Sequence, residues 1–166
     1  SIDYRKKVKE TELFFKTVQN KMHFAVTGKT AAEIIAERAD SKKPLMGLTN
    51  FSGLNLIKRD IYIAKNYLNQ EELEKLNRIV DAYLSFAEIQ AKDELAMTMK
   101  KWIEKLDEYL SLLGKGILKN AGKVKAIEAE DKALNEFEKY RQVQDKNYIS
   151  DFDREVKKLL KISKKR

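Results

Sequence analysis

The sequence predicts an all-α protein, an irregular multi-helix bundle of five to seven helices with one long loop around residues 40–56. Three observations lead there. Apolar residues recur at three- and four-residue steps along most of the chain. One Pro and six Gly in 166 residues are too few for a loop-rich β-fold. Capping patterns stand where the periodic stretches begin. A hydrophobic share of 43% supplies a core beside 36% charged residues, so a wholly disordered chain is not expected. The expected organisation is a single helical domain over 1–156, with a basic tail over 157–166 continuing the last helix.

The elements follow in order. A first helix is expected over 3–27, with Leu13, Phe14, Val18, Met22 and Ala25 as its stripe and Phe15 and Val26 beside it. Gly28 is its stop. Thr30 and Glu33 form a capping-box pattern that opens a second helix, from Ala31 to about Arg38. The irregular stretch holds Pro44, Gly47 and Gly53. Asp60 could cap a short helix over 61–68, which is favoured over a brief strand at Ile61-Tyr62-Ile63 because no partner strand is visible.

Asn69 with Glu72 opens the longest clear helix, about 70–92. Thr98 caps the next, about 99–113, with Trp102, Leu106, Tyr109, Leu110 and Leu113 on its apolar face. A turn of helix at 117–120 is possible between Gly116 and Gly122. Residues 123–146 read as another long helix whose narrow stripe (Val124, Ile127, Leu134, Phe137, Tyr140, Val143) suits a projecting or coiled-coil-like edge. Ser150 or Asp151 would cap a last helix docked by Phe152, Val156, Leu159 and Leu160.

Composition excludes several chemistries. Without cysteine there are no disulfides, thiolate metal sites or Cys nucleophile. A single histidine leaves no His-rich metal site and little for a catalytic triad. No apolar run approaches the ~20 residues of a membrane span, and no secretory signal opens the chain. The chain begins with Ser, which suggests a fragment or a processed product. Gly28-Lys29-Thr30 matches only the end of a Walker motif and follows a helix, so nucleotide binding there is rejected. No cofactor, metal site or small-molecule substrate is indicated.

Charge is uneven. It is +6 over residues 1–65, −4 over 66–156 and +6 over 157–166. Of the cations, 27 are Lys and 7 are Arg, which suits diffuse attraction to phosphate better than base readout. The same excess could simply serve solubility. The basic loop Lys42, Lys43, Lys58, Arg59 could touch phosphate while Phe51 stacks on a base, or Phe51 could pin the loop to the core. The tail Lys157, Lys158, Lys161, Lys164, Lys165 and Arg166 is a second basic block; it would equally suit a helix C-terminus.

Lys16, Gln19, Asn20, His23 and Thr27 fall on one side of the first helix as a polar cluster. If the second helix folds back, Glu33, Glu37 or Asp40 could meet His23 as an acid/base pair or as oxygen ligands of a metal. The alternative is a surface or half-buried histidine in a helix interface.

Several blocks are distinctive: FFKTVQNKMHFAVTGKTAAEII at 14–35, ERAD at 37–40, MGLT at 46–49, IAKNYL at 63–68, Met97-Thr98-Met99 with Trp102, and SDFD at 150–153. Together they resemble the C-terminal part of the bacterial RhuM family of virulence proteins, over nearly the whole chain. The resemblance implies a bacterial cytoplasmic protein whose full length carries an N-terminal DNA-binding-like segment. The Fic motif H-P-F-x-x-G-N of some related proteins does not occur here. Three functions remain open: a helical interaction module forming a homo-oligomer, whose interface would include 123–146; weakly specific nucleic-acid binding; and an enzyme or metal site at His23. No membrane association is expected.

Overall fold

The computed structural model describes residues 1–5, 8–51, 53, 55–93, 95–147, 153 and 156. Five helices form the frame: α1 (Lys9–Thr27), α2 (Ala31–Arg38), α3 (Gln70–Lys92), α4 (Met99–Leu112) and α5 (Ala126–Asn147). Three short turns lie between α2 and α3: a left-handed one at Pro44–Gly47 and 3-10 turns at Asp60–Tyr62 and Ala64–Tyr67. No strand occurs among the described residues.

Local signals set the helix ends. Gly28 takes a left-handed conformation (φ 72°), and its N–H donates to Phe24 O, closing α1. Thr30 and Glu33 cap α2 reciprocally, and Asn69 and Glu72 do the same for α3. Thr98 accepts from Lys101 N at the start of α4.

α1 packs on α3 and α4, while α2 packs on α5 and on the 64–67 turn. Ile34, Met46, Ile61, Tyr67, Leu68, Leu106 and Leu110 are the largest fully buried apolar side chains. Tyr83 and Trp102 meet edge to face, with Phe86 and Tyr109 beside Tyr83. The Tyr83 hydroxyl donates to Trp102 O at 2.5 Å, tying α3 to α4.

The structure corrects several expectations. α1 begins at Lys9, not residue 3. Ile2 N donates to Met97 O, and Asp3 Oδ1 accepts from Met99 N at the head of α4. Those long-range bonds replace a first helical turn. Leu13 and Phe15 are exposed, whereas Thr11, Lys21 and His23 are buried. The 61–68 segment is two 3-10 turns, broken where Ile63 is extended. Asn66 Nδ2 and Tyr67 OH donate to Asp60 O and Ile61 O across the break. Residues 117–120 form no helix; Leu118 is a buried anchor whose carbonyl accepts from Lys21 Nζ.

α5 is not a free edge. Ala129, Ala133 and Phe137 are buried against the core, while Ile127 and Val143 face outward. Its start moves to Ala126 because Glu33 Oε1 holds Lys123 N at 2.7 Å outside the helix. The proposed docking by Phe152, Leu159 and Leu160, and the basic tail, lie outside the described residues.

Candidate functional site

Three of the distinctive sequence blocks meet in one joint. Arg38, at the end of α2, makes a two-pronged pair with Glu72: Nη1 to Oε2 at 2.5 Å and Nη2 to Oε1 at 2.7 Å. Arg38 Nη1 also donates to Tyr67 O at 2.8 Å. Glu72 Oε2 accepts from Asn69 N as well, so one carboxylate caps α3 and anchors α2. The pairing raises the Arg38 pKa, chiefly through the Glu72 hydrogen bond, and the reciprocal bond lowers that of Glu72. Asn66 O accepts from Thr49 N and Asn50 N, and Thr49 Oγ1 also donates to Leu68 O. The joint therefore binds ERAD, MGLT and IAKNYL into one structural unit.

His23 lies in the interior, 9% exposed. Burial, and next the nearby Lys65 charge, lower its pKa to about 4, so the imidazole is neutral at pH 7. Its Nδ1 has no hydrogen-bond partner among the described residues. The carboxylates proposed beside it have other partners. Glu33 accepts from Thr30 N and Lys123 N, Glu37 pairs with Lys29 Nζ at 2.6 Å, and Asp40 Oδ1 accepts from Lys42 N. No group of three metal-ligating side chains occurs among the described residues.

The polar cluster on α1 divides. Lys16 and Gln19 are exposed. Asn20 Oδ1 accepts from Ala31 N, bracing the start of α2, and Thr27 Oγ1 donates to His23 O. Lys21, absent from that cluster, is buried with Nζ at 2.8 and 3.0 Å from the Asp107 oxygens and donating to Leu118 O. No local pattern marks it, since its partners stand on α4 and the 118 segment.

Lys42, Lys43, Lys58 and Arg59 are all exposed, and Phe51 is half-buried against the core. Lys157, Lys158, Lys161, Lys164, Lys165 and Arg166 lie outside the described residues.

Two surface features were not visible in the sequence. One is an apolar groove of about 850 Å³ between the first residues and the heads of α1 and α4, lined by Ile2, Tyr4, Val8, Leu13, Phe14 and Ile103 among others. Phe15 stands beside it, with ring contacts to Tyr4 (6.4 Å) and Phe14 (5.3 Å). The other is a cleft of about 580 Å³ between α1 and the 118–126 segment, lined by lysines and asparagines.

The model of the RhuM virulence protein family matches residues 1–149. The chain belongs to that family. No curated protein and no solved structure matches it. Most of the blocks that carry the RhuM resemblance are accounted for by architecture: the Arg38 joint, the capping boxes, and the α1 face that buries His23. Among the described residues of this RhuM-family chain, no helix is long and apolar enough to cross a membrane.

Proposed function

We propose that this chain is a helical self-association module of a longer, cytoplasmic RhuM-family protein whose preceding segment contacts DNA. The observation that carries the reading is the Tyr4–Phe15–Phe14 ring cluster at the apolar groove, in which Tyr4 and Phe15 are exposed and Phe14 is half-buried. Tyr4 is 47% exposed, Phe15 49% and Leu13 64%, an apolar concentration of the kind that marks interaction surfaces. A second copy is the occupant that the charge pattern suits. The chain carries +8, concentrated in residues 1–65 and 157–166, so two copies repel where those basic stretches face each other. The groove lining holds Asp3 and Glu10 against Arg5 and Lys100. That balanced rim can face its own image without like-charge conflict. The interface expected along 123–146 gives way to this groove, because α5 spends its buried stripe on α2.

The test is sedimentation of the intact chain by analytical ultracentrifugation over a concentration series. A dimer that Phe15→Glu or Tyr4→Glu converts to a folded monomer supports the proposal. A monomer at every soluble concentration, or a dimer indifferent to both substitutions, overturns it.

A second reading, low-specificity nucleic-acid binding, is favoured by one feature. Lys42, Lys43, Lys58 and Arg59 are exposed on a loop that carries no acidic residue over 41–59. It requires duplex binding that weakens steeply between ~50 and ~200 mM salt and falls on Lys42→Gln with Lys43→Gln.

A further inference from the structure

We infer that the cleft between α1 and the 118–126 segment binds a small organic phosphate. This goes beyond the self-association reading and uses different side chains from the basic loop.

Lys16, Lys21, Lys119 and Lys125 line the cleft, and no aspartate or glutamate does. Lys21 is already neutralised by Asp107 on α4. The other three, Lys16, Lys119 and Lys125, are exposed residues of the lining, and a positive lining of one concave space favours an anion of more than one charge. A lone carboxylate would neutralise one of the three. A phosphate ester or diphosphate offers several oxygens to separate point-charge donors, the arrangement that lysine serves.

The amides point to the same ligand. Asn20 and Asn120 both line the cleft. Asn20 Oδ1 accepts from Ala31 N at 3.1 Å, and Asn120 Oδ1 accepts from Gly122 N at 2.9 Å. Each backbone N–H orients its amide by the oxygen, and both Nδ2 groups remain as donors. The cleft thus joins cations to hydrogen-bond donors.

Its walls also hold Leu118, Val124 and Ala121, apolar surface for the organic part of a ligand. About 580 Å³ is the size of a small-molecule site. No aromatic ring lines it, so base stacking contributes nothing, and a compact phosphate fits better than a nucleic-acid strand.

The probe is inorganic pyrophosphate, titrated calorimetrically into the intact chain at ~50 mM salt, with a short DNA duplex as the competing source of phosphate. Saturable binding at one site is expected. Lys16→Gln with Lys125→Gln should weaken it about tenfold or more. Asn120→Asp is the second variant: it keeps an oxygen to accept from Gly122 N and replaces the donor with negative charge. It should weaken binding at least as much while circular dichroism stays unchanged. Lys42→Gln with Lys43→Gln should leave binding intact. Absence of saturable binding, equal loss in the loop variant, or retention in both cleft variants overturns the assignment. So does a duplex that displaces pyrophosphate and is itself weakened by the cleft substitutions, because the cleft would then hold nucleic-acid backbone.

Discussion

Arg38 and Glu72 join the end of one helix to the start of another through two parallel N–H···O bonds of 2.5 and 2.7 Å. Glu72 is also the residue that closes the cap of α3, so the pair fixes α2, the 64–67 turn and α3 together. Arg38→Lys should therefore not be conservative. An ammonium cannot reproduce the planar fork and still reach Tyr67 O. The expected loss is about 1–2 kcal/mol by urea denaturation, because the pair is only partly shielded from water. Glu72→Gln keeps an oxygen for the cap and loses the charge, so its loss should be of similar size. Wild-type stability in both variants would show the pair to be incidental.

Gly47 depends on the same residue in another way. A Cβ at Gly47 would stand 2.3 Å from Arg38 O, and its φ is +83°. Leu45 and Met46 before it also have positive φ, 51° and 58°, a strained run that deep burial of Met46 offsets. Gly47→Ala should cost about 3 kcal/mol or more, since clash adds to conformational strain. Gly28→Ala should cost about 1 kcal/mol, because its Cβ meets nothing within 4 Å and only φ is unfavourable. Similar losses at both sites would contradict the close approach of the 47 turn to α2.

The contrast between those glycines shows what the sequence could convey. Gly28 as a helix stop was legible, as were Thr30 with Glu33, Asn69 with Glu72, and Thr98. Each is a signal between neighbours in the chain. The Arg38–Glu72 bond spans 34 positions and uses a glutamate already explained by capping. Gly47 looked like an ordinary loop glycine because its constraint comes from a carbonyl in α2. The chemistry of His23 suits a polar face, yet it lies in the interior while Lys16 and Gln19 of the same cluster stay exposed, because helical spacing does not say which part of a side a neighbouring element covers. The bond from Met99 N to Asp3 Oδ1 spans 96 positions, beyond the reach of any local signal. The lysine cleft needed the 118–126 segment to fold over α1, which no periodicity announces.

His23 gives a pH prediction. Its pKa falls from 6.5 in the unfolded chain to about 4 in the fold. The unfolded state therefore binds the proton more readily. This contribution is fully present above pH 6.5. It declines as pH falls from 6.5 toward 4, and the full loss is about 3 kcal/mol. His23→Leu should flatten that part of the stability profile, measured by denaturant unfolding at half-unit pH steps. A wild-type profile as flat as the variant's between pH 6.5 and 4 would show that His23 is hydrated in the fold.

The α2–α5 contact makes the last prediction. Ala129 and Ala133 are 1% and 0% exposed, one helical turn apart, with Phe137 a turn further on. Small side chains let α5 approach α2 closely, and a larger one has nowhere to go. Ala133→Leu should destabilise by about 1–3 kcal/mol through overpacking. Ile127 and Val143 are 65% and 54% exposed, so Ile127→Ala and Val143→Ala should change stability by less than about 0.5 kcal/mol. A coiled-coil partner on the outer stripe of α5 gives a different pattern: Ala133→Leu still costs stability, and the two exposed substitutions then cost stability as well, in a concentration-dependent manner. Thermal unfolding of the three variants at two protein concentrations separates the cases.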